Sequence, residues 1–165
     1  MPSLRTVRLV RELERSFAVA RERGDFRLVH YSIQRDHAHL IMEAEGREAL
    51  GRGMTSIGAR FARAVNRVFR RTGRVLEDRY HMRPLRTPRE VRAALRYVLL
   101  NVRKHRRSRS PGMDRASSGR WFDGWRGLAL PSGERSPVAL PRTWLLSRGW
   151  RRWGLLDPAE VPGPG

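Results

Sequence analysis

This sequence predicts an α+β fold, an antiparallel sheet with helices on one face. Three observations carry that prediction. A helix-spaced apolar series runs from Leu4 to Ala20, and two β-rich runs follow it with only Arg35 and Asp36 between them. Two further amphipathic helical segments come next, and after the second the chain turns basic, then rich in Trp, Pro and Gly.

Ser3 is a plausible N-cap, and Leu4, Val7, Val10, Leu13, Phe17 and Ala20 recur at helical spacing. Gly24 is a natural stop for that helix. "FRLVHYSIQ", Phe26 to Gln34, has the β-branched and aromatic content of a strand, and "HAHLIMEA", His37 to Ala44, pairs with it as a hairpin. Residues 47–72 form a long helix with Leu50, Met54, Ile57, Phe61, Val65 and Val68 as its apolar stripe, ended by Gly73. Residues 75–86 read as a short strand or an irregular crossing. In "TPRE", Thr87 caps the next helix, Pro88 takes its first position and Glu90 closes a capping box. That helix runs to about His105, with Val91, Ala94, Leu95, Val98 and Val102 inward.

The chain therefore divides into a domain over 1–106, a basic flexible linker over 107–120 and an irregular C-terminal tail over 121–165 that holds all five tryptophans. The element order is that of a ferredoxin-like βαββαβ sheet whose first strand is missing, since only three residues precede the first helix.

Across 165 residues, 35 Lys and Arg stand against 16 Asp and Glu, a net charge of +19. That excess fits a polyanionic partner such as nucleic acid. Arginine dominates it, and arginine makes bidentate phosphate contacts and stacks on bases. A codon bias explains arginine over lysine, but not the excess over acids. With no cysteine, disulfides and thiolate metal sites are excluded. No apolar run approaches a membrane span and no signal-peptide core opens the chain, so the expected location is cytoplasmic, with no membrane partner.

Strand alternation puts His37, His39, Ile41 and Glu43 on one face and Ala38, Leu40, Met42 and Ala44 on the other. The second set suits packing beneath helices, so the histidines are expected to point away from them. Their Cα atoms lie roughly 6–7 Å apart, which allows two nitrogens to converge on one metal ion. By itself the pair also fits two solvated histidines on an open sheet. Tyr97 and Asn101, four apart on the last helix, share a stripe beside its apolar face. A tyrosine oxygen can attack a phosphodiester and an asparagine oxygen can ligate a hard cation. A Tyr covering a sheet edge and a solvated Asn would have the same spacing.

"HAHL" together with the downstream helix "LRYVLLNVRKH" resembles the HUH single-tyrosine transposases of the IS200/IS605-like group, most of all the REP-associated tyrosine transposases. The resemblance covers roughly residues 4–106 and implies the following expectations. His37 and His39 are metal ligands, Asn101 is the third ligand, and Tyr97 is the nucleophile. The cofactor is Mg²⁺ or Mn²⁺, the latter better matched to nitrogen ligands. The substrate is single-stranded DNA bearing a hairpin, cut through a 5′-phosphotyrosine, and the enzyme is a homodimer. The chain departs from the family at the absent first strand and at Asn101-Val102, where family members often have Asn-Pro.

Arg52, Arg60, Arg63, Arg67, Arg70 and Arg71 flank the long helix's stripe and are the candidate phosphate track, extended by Arg83, Arg86 and Lys104. A charged helix face is also simply solvated in most proteins. Tyr80 in "DRYHMR" is the rival nucleophile, ranked below Tyr97 because it has no ligand at helical spacing. Glu43 lies too far along its strand to ligate, and His30 and Tyr31 read as packing residues. Trp121 and Trp125 read as anchors of the tail, whereas the tryptophans of "WLLSRGWRRWG" fit anchoring and base stacking equally. The alternative function is a non-catalytic, decayed or domesticated nucleic-acid binder of the same fold.

Overall fold

The computed structural model of the chain describes residues 1–77, 80–105, 113–128 and 135–160, the side chains of 102–105 excepted. It is an α+β structure: α1 (Val7–Ala20), β1 (Glu22–Arg23), β2 (Phe26–Ile33), β3 (Ala38–Ala44), α2 (Arg47–Phe69), α3 (Pro88–His105) and α4 (Trp144–Ser147). Among the described residues the strands form one antiparallel sheet in the order β1-β2-β3, with β3 at its edge.

Helix α1 begins later than Ser3 suggests. Thr6 is the N-cap, its Oγ1 accepting from the Leu9 N–H at 3.4 Å. Starting there buries Leu9, Val10, Leu13 and Phe17 in one stripe and leaves Val7 62% exposed. Leu4 is buried ahead of the helix. The helix also stops before Gly24, because Glu22 and Arg23 turn back onto Arg27 and Phe26 as β1, a strand too short for the sequence pattern to reveal.

The β2–β3 hairpin forms as expected, in register Ser32↔His39 and Ile33↔Ala38. A register shift between Leu28 and His30 breaks the alternation of β2. Leu28 and Tyr31 therefore both enter the core with α1 and α2, while Val29 joins the core with α3.

The sheet is covered on both faces, which corrects the one-sided arrangement expected. α1 and α2 pack with Phe26, Leu28, Tyr31, Ile33, Leu40 and Met42. α3 packs on the opposite face through Val91, Leu95, Val98 and Leu99 against Val29 and Ile41. The histidines of the hairpin thus face a helix. The physical reason is that Val29 and Ile41 make the second face apolar along its middle, and α3 has a stripe to match.

Helix α2 ends at Phe69 rather than 72, with Arg70 in the left-handed conformation (φ 50°) and the Arg71 N–H bonded to Asn66 O. Within it, Gly53 meets the Phe26 ring so closely that a Cβ would stand 2.2 Å from that ring. Thr87 caps α3, its Oγ1 accepting from the Glu90 N–H at 3.2 Å, while Glu90 accepts from the Arg86 N–H at 2.7 Å. The described part of 75–86 is irregular, not a strand.

Residues 113–120, expected within a flexible linker, are packed instead. Ile33 N–H donates to Ala116 O at 2.7 Å, Ser118 N–H to Tyr31 O at 2.9 Å, and Arg5 pairs with Asp114 at 2.6 Å. Ala116, Ser117 and Ser118 are buried. The rest of the expected linker, 107–112, lies outside the described residues. Further on, Ala139 N–H donates to Leu28 O, so the tail continues along the outer edge of β2. Trp125 and Trp150 are buried anchors in the core beneath α3, and α4 with the 3-10 turn Gly149–Trp153 packs on that helix. Among the described residues no helix is long and apolar enough to cross a membrane.

Candidate metal and nucleophile site

His39 belongs to β3 and His37 to the turn just before it, and both side chains rise on the α3 side of the sheet. Their Nε2 atoms lie 3.2 Å apart and their rings meet edge to face at 4.8 Å. Asp36 accepts from His37 Nδ1 at 2.7 Å. A proton held on Nδ1 leaves the Nε2 lone pair available, the arrangement by which a carboxylate orients a ligating imidazole. The bond to His37 holds the Asp36 carboxyl below its usual range. Burial, and then the neighbouring His37, lower the pKa of His39 and favour its neutral, ligating form.

Tyr97 reaches this pair from α3. Its ring meets the His39 ring edge to face at 5.1 Å, and it is partly buried against the core beneath the helix. Asn101 follows one turn later, about 6 Å along the axis. It is 2% exposed, and its buried Oδ1 has no hydrogen-bond partner among the described residues. A merely solvated asparagine is thereby excluded, because a buried carbonyl oxygen without a partner costs free energy unless a ligand takes it up.

Two imidazole nitrogens on one cation, with bonds of about 2.0–2.2 Å, stand about 2.8–3.6 Å apart between octahedral and tetrahedral angles, a span that contains the observed 3.2 Å, which is also a hydrogen-bond distance between the two rings. Among the described residues no three His, Cys, Asp or Glu side chains converge on a point. The two imidazoles are the candidate donors that the hairpin brings together, and Asn101, the expected third ligand, stands on α3 one turn beyond Tyr97.

Glu43, on the same strand face, has a different task. It pairs with Arg27 at 2.7 Å and accepts from the Arg142 N–H and from the Thr143 N–H and hydroxyl. Burial alone would raise its pKa; these bonds outweigh burial and hold it below the usual range. Tyr80 is 52% exposed in the irregular crossing before α3.

The arginine track divides. Arg52 pairs with Asp25, Arg67 with Glu12, and Arg71 with the carbonyl of Arg74. Arg60 and Arg63 line an open groove with Arg23 and Glu48, and Arg70 caps the helix. Arg52, Arg60, Arg63 and Arg67 belong to α2, and Arg70 and Arg71 follow its end; α2 packs on the sheet face opposite Tyr97. Arg83 and Arg86 are exposed just before α3. The Lys104 side chain lies outside the described residues. Sequence reasoning missed Asp36 as the orienting carboxylate, although its position directly before His37 was a signal. It also missed Arg27 and Thr143, for which a single sequence holds no signal. Comparison of the chain with protein-family models, curated proteins and solved structures returned no match.

Proposed function

We propose that this protein is a metal-dependent single-stranded DNA endonuclease and strand transferase that acts through Tyr97. The observation that carries the reading is the meeting of the Tyr97 ring with His39 while His39 and His37 hold their Nε2 atoms 3.2 Å apart. Asn101, one turn along α3, supports it with a buried oxygen that has no partner among the described residues. The resemblance to single-tyrosine HUH transposases supplies the substrate: DNA with a hairpin, handled in the cytoplasm by a homodimer with a ferredoxin-like sheet.

His37, His39 and Asn101 would hold a Mg²⁺ or Mn²⁺ ion, which supplies charge stabilisation at the scissile phosphate. Asp36 orients the His37 ring. The Tyr97 oxygen attacks phosphorus as it loses its proton. The Oη–P bond forms, the P–O3′ bond breaks, and the 3′ oxygen leaves as a hydroxyl. The phosphotyrosine keeps the ester bond, so a second 3′-hydroxyl can reverse the step without a nucleotide cofactor.

The test is covalent capture. With hairpin-bearing single-stranded DNA and Mn²⁺, the wild-type chain is expected to give a protease-sensitive shifted band on a denaturing gel. EDTA, Tyr97→Phe and the double change of His37 and His39 to alanine are each expected to abolish it. An undiminished band from Tyr97→Phe would sink the assignment. DNA binding with no band under any metal would leave the binding-only reading, which the α2 arginines favour by lying across the sheet from Tyr97.

A further inference from the structure

We infer that α4 and the 3-10 turn after it form a stacking platform for unpaired DNA bases, with Trp144 and Trp153 as its two rings. Of the tail's tryptophans, two are buried, Trp121 is half-buried against the first core, and two are exposed. Trp125 and Trp150 are 5% and 1% exposed and anchor the tail, whereas Trp144 and Trp153 are 51% and 57% exposed. Neither exposed ring has a part in the two apolar cores. Each instead carries a guanidinium: Arg152 lies 5.2 Å from the Trp144 ring centre, and Arg89 of α3 lies 5.6 Å from that of Trp153.

The platform is rigid. A Cβ on Gly149 would stand 2.6 Å from the Trp144 ring, so that indole rests directly on backbone. Arg92 of α3 binds the carbonyls of Gly154 and Leu155 at 2.8 and 3.0 Å, which fixes the chain just after Trp153. Thr143 caps α4 and is itself held by Glu43 at the far end of β3 from His39. Both attachments run to the elements that carry His39 and Tyr97, and Trp153 sits on their face of the sheet through Arg89 and Arg92.

The charge selects the ligand. Trp144 to Trp153 includes Arg148, Arg151 and Arg152 and no acid. Arg151 pairs with Asp123, while Arg148 and Arg152 form no ion pair among the described residues. An exposed indole beside a guanidinium without a carboxylate meets the two needs of a single strand, a π-face for the base and a cation for the phosphate. Duplex DNA offers only the phosphate. The choice of DNA over RNA rests on the proposed function; the stacking contact does not.

The experiment is fluorescence anisotropy with a labelled oligothymidylate of about 20 nucleotides, long enough to cover such a site. Trp144→Ala and Trp153→Ala are each expected to weaken binding by about 5- to 150-fold. The slope of affinity against salt should stay the same, since every phosphate contact remains. Trp144→Phe, which keeps a ring, is expected to retain most of the affinity. An Arg148→Ala/Arg152→Ala variant should lower the salt slope. Binding by the double tryptophan variant equal to wild type, or equal affinity for a duplex, would overturn the platform, and tighter binding of oligouridylate would overturn its assignment to DNA. Tyr97→Phe should bind the oligonucleotide like wild type. Loss of the covalent adduct with the platform intact therefore tests the enzyme, and loss of affinity with the adduct chemistry intact at saturating DNA tests the platform.

Discussion

Asn101 and His30 are both polar, both buried, and opposite in how the fold treats them. Among the described residues the Asn101 oxygen has no hydrogen-bond partner, and a buried carbonyl left so costs about 1–3 kcal/mol. Asn101→Leu, similar in volume, is expected to raise the Tm of the metal-free protein by a few degrees and to abolish the covalent adduct. A fall in Tm would show that the amide is structural. His30 is satisfied: its Nδ1 lies 3.1 Å from Ser118 Oγ and its ring packs edge to face on Phe122. Burial depresses its pKa from 6.5 to about 3. Between those values the unfolded chain binds the proton and the folded one does not, so its contribution is complete above pH 6.5 and is lost as pH falls toward 3. Tm measured against pH should drop through this window, and His30→Gln should flatten the drop. The reading of His37 and His39 needed only strand alternation. The burial of Asn101 did not follow from its helical phase, because what lies opposite that phase depends on where α3 docks.

Among the elements, the most consequential contact joins β3 to α4. Glu43 binds Arg27 and, at once, Arg142 and the α4 N-cap Thr143. Glu43→Ala leaves Arg27 buried without its partner, which is expected to cost about 3–5 kcal/mol, read as a lower denaturant midpoint, and to expose the tail to limited proteolysis ahead of Trp144. Glu43→Leu with Arg27→Met should recover much of that stability, since buried ion pairs are replaceable by apolar groups of similar size. The helices themselves were legible in apolar spacing, and the Thr87–Glu90 signal placed the start of α3. Boundaries that depended on competition were not. Thr6 displaces Ser3 as a cap because the buried stripe of α1 starts at Leu9, and α1 yields to β1 because β2 offers Arg27 and Phe26 for pairing.

For the whole molecule, the distribution of charge decides how DNA can lie. The α2 arginines and the Tyr97 site are on opposite faces of the sheet, so a strand that touches both must pass around its edge. Arg60 and Arg63 line the open groove beside α2. Changing both to alanine is expected to lower affinity for single-stranded DNA and to reduce the salt slope by about 0.7 for each phosphate that is no longer neutralised. The rate of adduct formation at saturating DNA should not change. A slower adduct rate at saturation would place the groove within the reacting complex.

Local patterns along the chain were enough for the α+β class, the hairpin, the three long helices, the shared face of His37 and His39 and the shared stripe of Tyr97 and Asn101. Each follows from periodicities of two or 3.6 residues and from capping, which need only near neighbours in sequence. It took the docking of these elements to set α3 across the histidine face, to seal β2 with residues 113–120, to clamp the tail on Glu43 and to leave Trp144 and Trp153 outside. Those outcomes depend on which apolar surfaces find each other across long separations in the chain. A single sequence encodes those matches in the packing of its folded form, and no spacing rule exposes them.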